Sequence, residues 1–230
     1  MIVNSRDSGL KSINELHPQR LATVDSLYVT HSTITHSPII YSTISYLYHL
    51  AIRHLYINMA ARSDKTKSYI PSKNSLQQDG WSTDTEATAT CFCGTVQLAL
   101  PTEGPGLVDV FICNCSDCRK ITASMFASNI VVKDEAVKHL RGRENLKSFS
   151  QSTTVGSGKN MTNWFCQTCG TLLYRTSERL TGVKILRLGT VDDFNLAETK
   201  LRPRNELYIE DRVNWFPGCG TAIQHEGMAS

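Results

Sequence analysis

Cysteine placement constrains this chain more than any other feature. There are eight, none occurs before residue 91, and seven fall in three tight groups. Cys91-Phe92-Cys93-Gly94 reads CxCG, Cys113-Asn114-Cys115-Ser116-Asp117-Cys118 reads CxCxxC, and Cys166-Gln167-Thr168-Cys169-Gly170 reads CxxCG. Cys219 stands apart between two glycines. No secretory signal is legible, because the first 25 residues carry Arg6, Asp7, Lys11, Glu15 and Arg20 and lack an apolar core. A reducing, cytoplasmic setting is therefore expected, and there clustered thiols are more often metal ligands than disulfides.

A CxxCG knuckle suits tetrahedral zinc. Two intervening residues let both thiolates reach one ion at ~2.3 Å, and the glycine takes the positive φ of the turn. Two knuckles supply four ligands, so Cys91, Cys93, Cys166 and Cys169 would staple the start of a domain to its middle; unliganded buried thiols or a disulfide pair are the alternative. The second group differs. Cys113, Cys115 and Cys118 can face one ion, and no His or fourth Cys stands close in sequence. Three protein ligands with an open fourth position is the arrangement of catalytic zinc, whereas closure by Cys219 or a distant His would make it structural.

The rest of the 230-residue chain sets the context. Net charge is +3, and the whole excess lies before residue 80: 8 Lys/Arg against 5 Asp/Glu there, 16 against 16 after it. With no basic run in the balanced part, nucleic acid is not the expected partner. No membrane span is expected either, since the most apolar window, Ile39 to Ile57, holds Arg53, His49 and His54. That window is at best a mediocre amphipathic helix. Residues 1–58 are read as an N-terminal extension, disordered or a gene-model artefact with Met59 as the usual start; a mature chain beginning at Met1 would overturn this. Residues 59–88 read as a polar linker and 218–230 as a tail.

From residue 89 to 217 short apolar runs alternate with turn residues. TVQLAL (95–100), VDVFI (108–112), FASNIVV (126–132), TLLY (171–174), VKILRL (183–188) and LYI (207–209) are strand-like. Asp192 to Lys200 holds at most a turn or two of helix. The fold class expected is mainly β.

At these residues the chain resembles a known family. CFCGTVQL, CNCSDCRKITASMFASN, NWFCQTCGTLLY and RLGTVDD are similar to the glutathione-dependent formaldehyde-activating enzyme and centromere protein V domain family over about residues 89 to 217. The resemblance implies an Mss4-like zinc-binding β-tent of short antiparallel strands. It implies two zinc ions per chain, a structural one on Cys91, Cys93, Cys166 and Cys169 and a catalytic one on Cys113, Cys115 and Cys118. Relatives often read CHC where this chain has Cys113-Asn114-Cys115, so a role of that His in substrate handling does not carry over.

Zinc held by three thiolates carries a net charge near −1 and is a weak Lewis acid, better suited to binding sulfur than to sharpening a water. The resemblance implies a carbon-sulfur lyase-type activity, with glutathione or a glutathione-aldehyde adduct as partner and formaldehyde as electrophile. A non-enzymatic zinc module binding protein partners, and a same-family enzyme for another thiol-bearing metabolite, are the alternatives. Asp117 is a candidate proton shuttle or Asx-turn residue; Arg119 and Lys120 are candidate carboxylate receivers or solvated charges. Asp192 and Asp193 are candidate paired acids or helix caps. Five of the seven His precede residue 59, which disfavours a His base.

Overall fold

The computed structural model describes residues 46–53, 64–72 and 75–229. The expectations for residues 1–45 and for Met59 lie outside them. The chain divides into two units, 1–47 and 48–230, and the sheets and cysteine groups below belong to the second. Residues 46–53 are helical (α1); among the described residues no helix is long and apolar enough to cross a membrane.

Among the described residues eleven strands form two sheets. The smaller has the order β1-β2-β5, with β1 Glu86–Thr90, β2 Gln97–Pro101 and β5 Lys138–Arg141. The larger has the order β11-β10-β3-β4-β9-β8-β7-β6. Its members are β3 Leu107–Cys113, β4 Ala127–Lys133, β6 Leu146–Gln151, β7 Met161–Cys166, β8 Leu172–Ser177, β9 Val183–Arg187, β10 Asn205–Leu207 and β11 Ile223–His225. The mainly β expectation holds. Pairing is antiparallel except at β10, which runs parallel to both β3 and β11. Two 3₁₀ turns, Leu188–Thr190 and Phe194–Glu198, carry the chain from β9 back to enter in that sense. The run expected at 207–209 stops at Leu207 because Tyr208 takes φ 56, which no strand can continue.

Period-2 alternation gives the large sheet two different faces. On one, Val110, Ile130, Leu186 and Tyr174 pack with Ala87, Ala89, Leu98 and Leu100 of β1 and β2, so the main core lies between the sheets. Each fully buried Leu or Ile there contributes ~1.5–3 kcal/mol through loss of apolar contact with water. The other face carries a second, smaller cluster of Phe111, Cys113, Ala127, Ile185 and Leu207, joined by Cys118. Helix α2 (Ser116–Thr122) packs on β4 over this face, and Phe126 stacks on Phe216 at 4.5 Å between ring centres.

Residues expected as polar linker reach into this unit. Asp193, buried, accepts from the Tyr69 amide at 2.9 Å and the Ser82 hydroxyl at 2.6 Å. Phe194 N donates to Tyr69 O at 2.9 Å, and Asn195 Nδ2 to the carbonyls of Asp64 and Lys67.

Candidate metal centres

The four-thiol group forms where the ends of β1 and β7 come together. Cys91 follows β1 directly, Cys166 closes β7, and the four sulfurs of Cys91, Cys93, Cys166 and Cys169 lie within 4.8 Å of one another. Two turns present them. Gly94 N donates to Cys91 O and Gly170 N to Cys166 O, with φ 79 and φ 74 at the two glycines, as the knuckle reading required. Amides point at the sulfurs: Val96 N to Cys91 Sγ at 3.2 Å and Asn145 Nδ2 to Cys166 Sγ at 3.2 Å. Burial pushes the Cys91 thiol up to about 12. Burial also works to raise Cys169, but the Thr171 hydroxyl and backbone outweigh it and bring that thiol down to about 6.

The three-thiol group sits on the opposite sheet face. Cys113 ends β3, Cys115 caps α2 and Cys118 lies in its first turn, with all three sulfurs within 4.8 Å. A seven-residue helix with no apolar period gave no sequence signal, yet it places Cys118 back over Cys113. Cys113 Sγ donates to Cys115 Sγ at 3.4 Å. Thiol donation from Cys113 and Cys115, then the positive charges of Arg175 and Arg187, hold Cys118 well below the usual thiol range. Cys113 is itself the donor, to Cys115 and Cys118, and that role together with burial pushes it far above the usual range.

Both groups fit a tetrahedral ion. Two sulfurs each ~2.3 Å from one zinc lie ~3.8 Å apart at the tetrahedral angle; the sulfur contacts are 3.5 Å for Cys91–Cys93, 3.7 Å for Cys93–Cys166 and 3.4 Å for Cys113–Cys115. Among the described residues no fourth His, Cys, Asp or Glu joins the trio. Cys219 is not in it: its sulfur approaches Pro203 O and Thr221 Oγ1.

Most of the other candidate residues have partners of their own. Asp117 Oδ2 accepts from Thr154 Oγ1 at 2.6 Å and tethers the loop after β6. Arg119 donates to Asp211 O at 3.3 Å, and Lys120 is exposed. Asp193 caps the second 3₁₀ turn through the Asn195 amide, and Asp192 is buried against Thr90 Oγ1 at 2.6 Å. Burial raises the Asp192 carboxyl.

Four residues around the trio were not among the candidate site residues read from sequence. Asn114 is fully buried and donates through Nδ2 to Glu206 Oε1 (3.1 Å) and Leu207 O (3.2 Å), while its own amide donates to Leu207 O. Glu206, also fully buried, accepts on Oε2 from Arg212 Nη1 and the Cys219 amide. Arg175 Nη1 lies 3.4 Å from Cys118 Sγ. Arg187, 5% exposed, donates through Nη1 to Asn129 Oδ1, its cross-strand partner. Burial and the nearby Arg175 pull the Arg187 guanidinium down to about 10, with Cys118 and Cys113 acting in the opposite sense. The signal was present: a strand read as apolar carried a charge in step with Ile185, on a covered face.

Fold and sites together define a mainly β protein with two cysteine groups, each able to hold a metal ion. Residues 86–211, more than half the chain, match the family described as glutathione-dependent formaldehyde-activating enzyme, and the chain belongs to that family. No curated protein matches it. A Rhodobacter sphaeroides protein of known crystal structure is similar at 23% identity, covering 45% of this chain and 85% of that one, with a TM-score of 0.36.

Proposed function

We propose that the chain is a zinc-dependent enzyme of carbon-sulfur lyase type, making or breaking the bond between glutathione sulfur and the carbon of formaldehyde or another small aldehyde. In this reading Cys91, Cys93, Cys166 and Cys169 hold a structural ion, and Cys113, Cys115 and Cys118 a catalytic one. The observation that supports it is the contrast between the groups, four sulfurs gathered in one and three in the other; four would complete a tetrahedron, and three would leave a ligand position for an incoming thiol.

A zinc ion on the trio would keep the incoming thiol ionised at neutral pH and hold its sulfur. The thiol would give up its proton to solvent, its sulfur lone pair would form the bond to the carbonyl carbon as the C=O π pair moves to oxygen, and that oxygen would take one proton back from solvent to give the S-hydroxymethyl adduct; the reverse would break the same bond. The chain's own contribution is position and charge. Glu206 and Leu207 fix Asn114 between two of the ligands. Arg175 and Arg187 place two positive charges on a cluster that would otherwise repel an anionic sulfur.

Metal analysis is expected to give two zinc ions per chain. Cys115→Ser keeps the fold, retains one ion and loses glutathione binding by calorimetry and turnover of glutathione with formaldehyde, while Cys169→Ser loses the fold by circular dichroism. Equal unfolding of both variants, or a single ion bound by the wild type, refutes the division of roles.

A further inference from the structure

Arginine grips a carboxylate best along one edge, where Nε and one terminal nitrogen present two parallel N–H bonds. In Arg187 that edge meets no acceptor oxygen among the described residues, although the Cys118 sulfur acts on the guanidinium. Nη1 is engaged by Asn129, while Nε and Nη2 are buried and have no hydrogen-bond partner among the described residues. Arg175, one strand away on β8, spends Nη1 on Cys118 and likewise leaves a buried Nε unpartnered. Neither arginine forms an ion pair with an Asp or Glu among the described residues. Leaving buried, charged donors unmatched is costly, and native proteins seldom do it without a ligand to supply the acceptor.

Register puts these donors beside the trio. Arg187 pairs across with Asn129 and Arg175 with Ile185; Cys113 pairs with Ala127, two residues from Asn129 on the same face. We propose that the Nε–Nη2 edge of Arg187, with Nε of Arg175 beside it, is a carboxylate subsite of the three-thiol centre. It selects thiols that carry a carboxylate close to the sulfur over neutral thiols. This rests on the trio being a thiol-binding centre and adds the class of thiol it takes.

The zinc-loaded full chain is titrated by calorimetry with mercaptoacetate and with 2-mercaptoethanol, which differ little beyond the carboxylate. The wild type is expected to bind mercaptoacetate about tenfold or more tighter, the size expected of charge-assisted bonds. Arg187→Lys keeps the charge and removes the fork, so the preference collapses towards unity while 2-mercaptoethanol still binds. Arg175→Lys, which loses the neighbouring donor, narrows the preference and serves if the first variant melts below the assay temperature. Equal binding of both thiols by the wild type, or a preference untouched in a folded variant, overturns the subsite and leaves the thiol-binding reading standing. Binding of neither thiol overturns both.

Discussion

At the residue scale, the position between two proposed ligands is the informative one. Asn114 stands between Cys113 and Cys115, and its side chain is fully buried, held by Glu206 and Leu207. Its task here is to anchor the ligand loop. Asn114→Ala deletes both side-chain bonds and strips one donor from a fully buried carboxylate, so a cost of about 1–3 kcal/mol is expected. Chemical denaturation measures it, and zinc retention after dialysis should fall at the trio before it falls at the four-thiol group. An unchanged midpoint would mean that the loop is fixed by its backbone alone. Spacing made the thiols within each motif legible, because cysteines two or three residues apart need only a local turn, and two such pairs would supply the four ligands that join Cys93 to Cys166 across 73 residues. Asn114, Glu206 and the two arginines were not legible, because Glu206 lies 92 residues from its partner and only strand register brings such groups together.

At the scale of elements, the two knuckles look alike in sequence but differ in surroundings. Both glycines have positive φ, which costs an L-residue ~1–2 kcal/mol. A Cβ on Gly170 would meet nothing within 4 Å, whereas one on Gly94 would lie 2.0 Å from Gln77 Cγ and 2.5 Å from its Cβ. Gly170→Ala should therefore lose only the conformational penalty, and Gly94→Ala should lose more, because residues 75–77 must move too. Paired thermal melts of the zinc-loaded variants check the order; a larger loss at Gly170 would contradict it. Strands with apolar runs, such as β3, β4 and β9, announced themselves. Strand β6 did not, because LKSFSQ carries its exposed Phe149 and polar neighbours at the sheet edge, where pairing with β7 alone suffices. Helix α2 was hidden by brevity: seven residues capped by a cysteine offer no period to detect.

At the scale of the whole molecule, the polar segment ahead of β1 is tied to the chain's later third. Asp193, 3% exposed, receives the Tyr69 amide, the Ser82 hydroxyl and the Asn195 amide. Asp193→Ala removes all three at once, and a loss of ~2–4 kcal/mol is expected from orphaned donors around a buried carboxylate. Limited proteolysis should then cut between residues 64 and 85 in the variant and leave the same stretch intact in wild type; protection in both would show that the strap holds without its carboxylate. The large sheet has a further consequence. Its apolar side secures cohesion against β1 and β2, and its reverse side carries Cys113, Asn129, Arg175 and Arg187. Because neighbouring residues on a strand face opposite ways, a lineage can exchange side chains on the reverse without disturbing the packed one. The cysteine-bearing side can change while the scaffold stays put, and divergence between sister proteins should gather at alternate strand positions.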